Sequence, residues 1–477
     1  MGTIRTAFDI ATGALDADQE ALNIEANNTA NVNTPGYTVE RPIWEENDAV
    51  SLNGIGTGAG AQVSGAESQR SRVLEQAMQQ QTQTQSASAA RLTALDQMQA
   101  LFTGATSTGT DTSATSGISS DLSGLFDALA SLEADPSDIA SRQNVLGAAG
   151  TLASDFNSAA AQLESQRASL DEQSTSVAAQ ANTLLNNVAQ LNVQIEETSP
   201  NADAGTLEDQ RQQDLTNLSQ LIGIRTVPTE NNGLTVTTMN GALLVSEGQA
   251  YAITTGESGG VTDYFDSEGN NITADLTAGG GQLGGILTAR DQDIPQVESA
   301  LDQLAYGLAT QMNTLNEGGA DLSGNTGGAI FGLPSGATAA DPQGSAAGIS
   351  VVMTDPSGIA AAATGNGPSD DTNLLLLANQ ANYTMAGGTT PTEFFSDMVT
   401  SLGSLTSEVS TENTAQGAAL TQLQNQIGSL SGVSLNDEAA SLETLEQAYQ
   451  AASKLFTVLD QVMLSALNLG VETAYSG

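Results

Sequence analysis

The chain has 477 residues with 11 basic and 55 acidic side chains, a formal net charge of −44, and contains neither cysteine nor histidine. That absence removes disulfides, thiolate or imidazole metal sites, Ser-His and Cys-His nucleophiles and the HExxH protease motif together. The charge argues against nucleic acid and anionic membranes as partners, because phosphate binding needs clustered Lys and Arg, whereas here no basic residue stands between Arg290 and Lys454.

The length allows several domains, and no stretch approaches the roughly 20 apolar residues of a membrane span. Asp9, Asp16, Asp18 and Glu20 occupy the region where a cleavable secretory signal needs an apolar run, so composition alone reads as cytoplasmic. Ile4, Phe8, Ala11, Leu15 and Leu22 nevertheless recur at helical steps and form one apolar stripe. That helix is expected to stop at Asn31-Val-Asn-Thr-Pro-Gly36, where Pro35 disfavours helix at Thr34 and Gly36 permits positive φ. The Gly-rich residues 53–65 read as an extended connector, and helical pattern resumes at about Ala66 and runs to Phe102. Residues 103–120 are rich in Ser, Thr and Gly and read as a loop. Apolar spacing over 122–146 predicts helix, interrupted at Asp135-Pro136, with Pro136-Ser137 as the restart.

The clearest periodicity follows. Phe156, Leu163, Leu170, Val177, Leu184 and Leu191 fall seven apart, and Ala153, Ala160, Arg167, Ser174, Ala181 and Val188 precede each by three. This is an a/d seam, imperfect at Arg167 and Ser174. A second seam runs through Leu287, Ile294, Leu301, Leu308 and Leu315. Between them, Leu234-Thr-Val-Thr-Thr-Met239 and Ala242-Leu-Leu-Val245 are β-prone runs, separated by turns at Asn232-Gly233, Asn240-Gly241 and Glu247-Gly248. One further strand is predicted at residues 349–353, and helices return at about Thr372, over 391–427 and over 437–469. The last helix has its own seam of Leu435, Leu442, Tyr449, Phe456 and Met463, with Leu445, Ala452, Leu459 and Ala466 beside it.

These elements predict a mainly α, multidomain α+β chain. It has a long helical-bundle or coiled-coil core formed by its N- and C-terminal parts and an antiparallel β domain in the middle. Residues 1–52 and 430–477 are the terminal amphipathic helices, and 66–225, 283–317 and 372–429 form the bundle. Residues 226–282 form the inserted β module, and the Gly/Ala-rich loop-and-strand segment 318–371 is expected to associate with it. A lone amphipathic helix cannot bury its apolar face in water, so both ends are expected to remain unpaired until a partner arrives.

No motif carries chemistry. Asp263-Tyr-Phe-Asp-Ser-Glu-Gly-Asn270 lacks the ligand spacing of a calcium loop and reads as a hairpin turn, and Asp321-Leu-Ser-Gly-Asn-Thr-Gly327 reads as a Gly-rich loop. Gly279-Gly-Gly-Gln-Leu-Gly-Gly285 fits GxGxxG by letter without a β-α-β setting, and reads as a tight lead into the Leu287 helix. No enzyme activity, cofactor or metal follows from the residues.

Two segments do resemble a known family. Ala21-Leu-Asn-Ile-Glu-Ala-Asn-Asn-Thr-Ala-Asn-Val-Asn-Thr-Pro-Gly-Tyr37, which holds Asn27, Asn28, Asn31, Val32, Asn33, Thr34, Pro35, Gly36 and Tyr37, resembles the N-terminal signature of bacterial flagellar rod, hook and hook-associated axial proteins. Ser431-Gly-Val-Ser-Leu-Asn-Asp-Glu-Ala-Ala440 with Glu446-Gln-Ala-Tyr-Gln-Ala-Ala-Ser-Lys454 resembles the C-terminal one. The Thr-Pro-Gly-Tyr ending, where rod and hook proteins more often show Thr-Thr-Gly-Phe, is similar to the hook-associated branch. So are Phe126 to Asp138 with Arg142, and Gly281 to Asp291 with Ile294-Pro295. Thr29 and Leu445-Glu446 depart from the pattern, as do the extra residues after Leu469, and the likeness is weakest over 318–370.

The resemblance implies a non-catalytic adaptor ring joining hook to filament, with hook or distal rod protein as the alternative and an adhesin or hydrolase acting through the β module as a remote one. It implies export through the flagellar type III pathway without a cleaved signal, which revises the cytoplasmic reading to secreted and flagellar. Its implied partners are further copies of the chain, the hook protein proximally, a second junction protein distally and an export chaperone on the C-terminal helix. Phe8, Leu15 and Leu22 with Leu435, Leu442, Leu445, Tyr449, Phe456, Leu459 and Met463 are the expected assembly faces.

Overall fold

A computed structural model of the chain describes residues 2–52, 55–103, 117–198, 204–385 and 388–474. Most of the predicted 103–120 loop and part of the 53–65 connector therefore lie outside the described residues.

Helix α1 (Gly2–Ala30) leads into a two-stranded ribbon of β1 (Glu40–Glu46) and β4 (Ala61–Ser68), with the short strands β2 (Val50–Leu52) and β3 (Ile55–Thr57) paired beyond it. The ribbon replaces the expected connector, and the helix predicted from Ala66 begins only at Arg72. Alternation over β4 is weak because both of its faces are largely solvated, so no period-2 hydrophobic signal exists to read. Helix α2 (Arg72–Thr103) precedes α3 (Ile118–Leu132) and the long α4 (Ile139–Thr198). The break at Asp135-Pro136 is real, but the restart is three residues later. Asp138 caps it by accepting from Ser141 Oγ at 2.7 Å and Ser141 N at 2.8 Å, bonds that also hold the Asp138 carboxyl below its usual range.

Helix α5 (Thr206–Leu221) leads into the antiparallel sheet β5 (Ile224–Pro228), β6 (Leu234–Thr238), β7 (Leu243–Ser246) and β8 (Gln249–Ala250), paired in that order, followed by the hairpin β9 (Thr254–Ser258) and β10 (Val261–Phe265). Glu247 and Gly248 both take positive φ in the tight β7–β8 turn. At the first expected turn the left-handed pair is Asn231-Asn232, one residue ahead of the Asn-Gly read from sequence. Helices α6 (Thr273–Gly279) and α7 (Gly281–Thr288) follow, then a π-helical turn over Ala289–Asp293, and α8 (Ile294–Gly318).

The segment after α8 holds β11 (Gly319–Ala320), β12 (Phe331–Gly332), α9 (Ser345–Gly348), β13 (Ser350–Val351) and β14 (Ala362–Ala363). The strand predicted over 349–353 is thus only two residues long. This segment was expected to join the β module; instead it lies along α4 and α8. Its backbone is tied there by polar side chains. Asn157 donates to the carbonyls of Ala346, Ala347 and Ile349, Asp302 accepts from Gly344 N and Ala346 N, and Asn316 contacts Gly328, Gly358 and Ala360. Arg142, 1% exposed, donates only to carbonyls, including Pro136 O at 2.7 Å and Ile359 O at 2.5 Å. Burial lowers its pKa from the usual arginine range.

Helices α10 (Thr372–Ala378), α11 (Pro391–Ser431) and α12 (Leu435–Ala474) complete the chain. A capping box between Thr390 and Glu393, with Pro391 at the first turn, starts α11. It runs antiparallel to α2, as the contacts Gln85–Asn413 and Phe102–Phe395 require.

The core is continuous from Leu95 on α2 through α3, α4, the sheet and α7–α8 to Leu402 on α11. The seam residues Phe156, Leu163, Leu170 and Val177 are buried, but further along the helix Leu185 and Asn192 are buried, not Leu184 and Leu191. A strict seven-residue repeat on a straight helix drifts by about 20° per turn pair, so four heptads rotate the seam by nearly one residue. The two imperfections also have causes. Ser174, fully buried, accepts the Tyr264 hydroxyl at 2.6 Å, and Arg167 faces Glu164 at the surface. The β module therefore rests on α4, held further by Asn182–Ile253 and Asp171–Thr262 bonds.

The glycine run works by close approach. A Cβ on Gly285 would sit 2.1 Å from the Ala87 carbonyl oxygen, so α7 crosses α2 backbone to backbone. Replacing Gly285 with Ala is expected to destabilise the core by about 3 kcal/mol, as overpacking against backbone does. Thermal unfolding of Gly285→Ala measures it against the control Gly417→Ala, whose added Cβ meets nothing within 4 Å.

Candidate assembly site at the paired chain ends

Helix α1 ends within one residue of where the signature loop was expected to stop it. Asn31 N closes back to Asn27 O at 3.0 Å and Asn28 O at 3.2 Å, Thr34 N bonds Asn31 O, and Gly36 takes φ of +82°. Asn27 and Asn31 also bond side chain to side chain, and Thr34 donates to Asn31 Oδ1. Asn33, Thr34, Pro35 and Gly36 are exposed and Val32 is half-buried. Across from them a cleft of about 480 Å³ separates Pro35 and Tyr37 from Gln190 and Gln194 of α4 and Gln213 and Asp214 of α5.

Asn28 is the centre of the arrangement. It is fully buried and all of its hydrogen-bonding positions are filled. Its amide donates to Glu40 O at 2.8 Å and to Glu438 Oε2 at 3.1 Å, and its Oδ1 accepts from Glu40 N and from the Tyr37 hydroxyl, each at 2.9 Å. One side chain thereby ties α1, its following loop, β1 and α12 together. Burial, with the nearby carboxylates Glu40, Asp209 and Glu438, raises the Tyr37 phenol above its usual range and keeps it a donor. Glu25 and Glu438 are buried beside it, with Arg41 Nη1 3.5 Å from one and 3.6 Å from the other.

Sequence reading missed the adjoining residues. Val39 N donates to Ser431 O at 2.9 Å, Gln69 N to Val39 O, and Ser431 Oγ to Gln69 O, which joins the end of α11 to both strands of the ribbon. Thr38 gives two bonds to Asp209 of α5, at 3.0 and 2.8 Å, and Arg70 adds ion pairs to Glu208 and Asp209. Only the adjacency of Thr38 and Val39 to the signature points to them, because both bonds from Val39 run through backbone atoms that any residue supplies.

The terminal helices do not wait for a partner molecule. Helices α1 and α12 pack antiparallel on each other within one chain, and the Phe8 and Phe456 rings lie 4.4 Å apart. Ala11, Ala17, Ala21 and Ile24 fill the α1 side, while Phe8, Leu15 and Leu22 are half-buried at its margin. On α12, Leu442, Leu445, Phe456 and Leu459 are half-buried, and Leu435, Tyr449 and Met463 are exposed. The expectation of unpaired ends is corrected: the three-residue linker 432–434 joins α11 to α12, and the bonds around the ribbon hold α1 and α12 together. What stays uncovered is a stripe not anticipated from the sequence, Leu455, Val458 and Val462, exposed by 49%, 54% and 45%. Each stands one residue ahead of a seam position.

Among the described residues no cluster of three or more acidic side chains is arranged to hold a metal ion, and no helix is long and apolar enough to cross a membrane.

Comparison with known proteins joins the two ends to the middle. The profile of the flagellar hook-associated protein FlgK helical domain matches residues 108–331, and that of the flagella basal body rod protein matches residues 8–38. Flagellar hook-associated protein 1 of Escherichia coli K12 is 25% identical, covering 96% of this chain and 98% of its own. The chain is thus similar to the FlgK group of flagellar hook-associated proteins over nearly its whole length. The Bacillus subtilis member is 26% identical over 97% of both chains. The flagellar hook junction protein FlgK from Burkholderia pseudomallei has the same fold, with a TM-score of 0.65 at 19% identity, covering 75% of this chain and all of that one. The matched rod segment contains Asn28 and Tyr37, the two signature residues at the centre of the polar knot.

Replacing Asn28 with Ala leaves the Tyr37 hydroxyl, the Glu40 backbone and one Glu438 oxygen without partners, a loss of about 3 kcal/mol in the α1–α12 pairing. Hydrogen exchange is expected to speed up in α1 and α12 while the amides of α4 and α8 keep their protection.

Proposed function

We propose that this chain is a structural adaptor of the bacterial flagellum, placed as a ring between hook and filament. The observation that carries the reading is the combination of a chain-long likeness to hook-associated proteins with terminal helices that pair, yet leave an apolar stripe bare. Such a stripe has no use in an isolated molecule, since burying each large aliphatic side chain is worth about 1.5–3 kcal/mol. Neighbouring copies supply the missing surface when α12 packs into a tube, with the paired ends innermost and the sheet-bearing core outside them. The helical content weighs against the hook-protein alternative, which calls for a larger share of strand.

The finer assignments follow from the same reading. The hook protein lies proximal and a second junction protein distal, and a chaperone covers α12 before export through the flagellar type III pathway. The chain acts by shape and packing, without catalysis.

Deleting residues 437–477 is expected to abolish filament attachment and swimming in a strain that has no other copy. Replacing Val458 with Asp tests the stripe more finely. It is expected to leave the circular dichroism spectrum and melting of the monomer unchanged while filaments are shed into the medium. Normal filament attachment in both variants would refute the adaptor reading.

A further inference from the structure

Glu25 and Glu438 pose an electrostatic question that the pairing of the helices does not answer. They are 3% and 1% exposed and face each other at hydrogen-bonding range across the α1–α12 interface. Glu438 Oε2 is served by Asn28 and Glu25 Oε1 by Arg41. The other two oxygens, Glu25 Oε2 and Glu438 Oε1, are sealed from solvent and have no hydrogen-bond donor. Buried carboxylate oxygens are not left this way without large penalties.

The surrounding charges do not resolve it. Arg41 on β1 is the one cation within ion-pair range among the described residues, and its side chain is 39% exposed. Glu67 stands opposite Arg41 in the ribbon and is exposed, as is Asp437 on α12. Asp209 on α5 approaches only the far side of Tyr37, and Asn28 and Tyr37 are neutral. Two buried carboxylates therefore share one solvent-screened guanidinium, and one negative charge is left without compensation.

We propose that Glu25 and Glu438 form a proton-operated latch: a single proton held between Glu25 Oε2 and Glu438 Oε1 fastens α12 onto α1, and its loss frees the C-terminal helix. The proton supplies a donor to both orphaned oxygens at once and reduces the pair to one charge, which Arg41 and Asn28 can serve. The latch lies between residues 413 positions apart, so it reports directly on whether the two ends of the chain are together.

The electrostatic surroundings of Glu25 agree with this geometry. Burial first, then the hydrogen bond and charge of Glu438, push the Glu25 carboxyl up to about 7 against an ordinary 4.5, with Arg41 and Asn28 opposing. A carboxyl whose pKa is raised in the paired state binds its proton more tightly there than when the helices separate. Its contribution to pairing is therefore fully present below pH 4.5, declines as pH rises through the window from 4.5 to about 7, and is gone above it. Across that window the pairing constant falls on the order of a hundredfold. The release is local, because the Val39–Ser431 and Thr38–Asp209 bonds include neither latch carboxyl.

The chain has no cysteine, so a spin-label pair can be placed without interference, at Gln19→Cys on α1 and Thr444→Cys on α12, both exposed. In the full-length chain, dipolar distance measurements are expected to give one short distance at pH 5 and a growing separated population above pH 7. Glu25→Gln keeps a donor beside Glu438 without the charge, and is expected to stay paired from pH 5 to 8.5; Glu438→Gln serves the same purpose should the first variant fold poorly. A second carboxyl pair, Asp121 with Asp155, whose pKa burial and Asp121 push up to about 6, titrates in the core. Asp121→Asn is therefore expected to change the pH dependence of core melting and leave the distance response intact. An unchanged distance from pH 5 to 8.5 in the labelled parent chain, or a full pH response persisting in both glutamine variants, overturns the latch.

Discussion

Everything at the ends of this molecule depends on closing a loop of some 400 residues, because Asn28 must meet Glu438 across 410 positions of sequence. Closing so long a loop in one step carries an entropic cost on the order of 5 kcal/mol, more than the few hydrogen bonds at the contact return. The fold divides the cost. Helices α2 and α11 belong to the core and run antiparallel, so their ends already lie together when the core is formed. The Val39–Ser431 bond then leaves only 11 residues to Asn28 on one side and 7 to Glu438 on the other. Closing that residual loop costs roughly half as much. The terminal pair is therefore subordinate to the core, and able to open without unfolding it.

A second constraint is the scarcity of cations. With 11 basic side chains against 55 acidic ones, ion pairs such as Arg70–Asp209, Arg91–Asp293 and Arg290–Asp171 can join only a few parts of this chain. Neutral amides join others. Asn182 clamps both backbone groups of Ile253, Asn192 takes Leu234 O, Asn313 holds Ile330 and Phe331, and Asn373 holds Leu315 and Ala360. Each of these asparagines projects from a helix and satisfies backbone groups of another segment. Two of the buried arginines also take neutral partners: Arg142 binds carbonyls, and Arg211 binds Asn192 Oδ1 and Asn232 O, whereas Arg290 pairs with Asp171 and Asp291. Neutral clamps are insensitive to salt, whereas the surplus of carboxylates is self-repelling and screened by it.

How far the sequence revealed this follows from which forces leave a periodic trace. Long helices and the seams of α4 and α8 were legible because burial on one helical face repeats every three or four residues. The hairpin turns were legible because positive φ selects Gly and Asn. The ribbon of β1 and β4 was not, since neither of its faces is buried well enough to alternate. The placement of residues 318–371 was also illegible, because it depends on isolated clamps such as Asn157 and Arg142, whose partners are backbone carbonyls of no particular residue. Of the signature, Tyr37 and Asn28 were picked out by resemblance, but their role as mutual partners needed coordinates. Thr38, Val39 and Asp209 gave no signal of their own.

The width of the apolar arc on α12 decides what the ends can do. A strict a/d seam serves one antiparallel partner and leaves nothing over; a helix apolar at three positions of seven can serve two surfaces. On α12, Phe456 and Leu459 face α1, while Leu455 and Val458, each one residue earlier and hence about 100° around the helix, face outward. Pairing with α1 consequently does not compete with pairing to another copy, and the monomer can be internally closed and still associate. Closure by α1 fixes the direction in which the outward stripe points. Under the proposed adaptor role, the polar knot at Asn28 would then set the geometry of assembly.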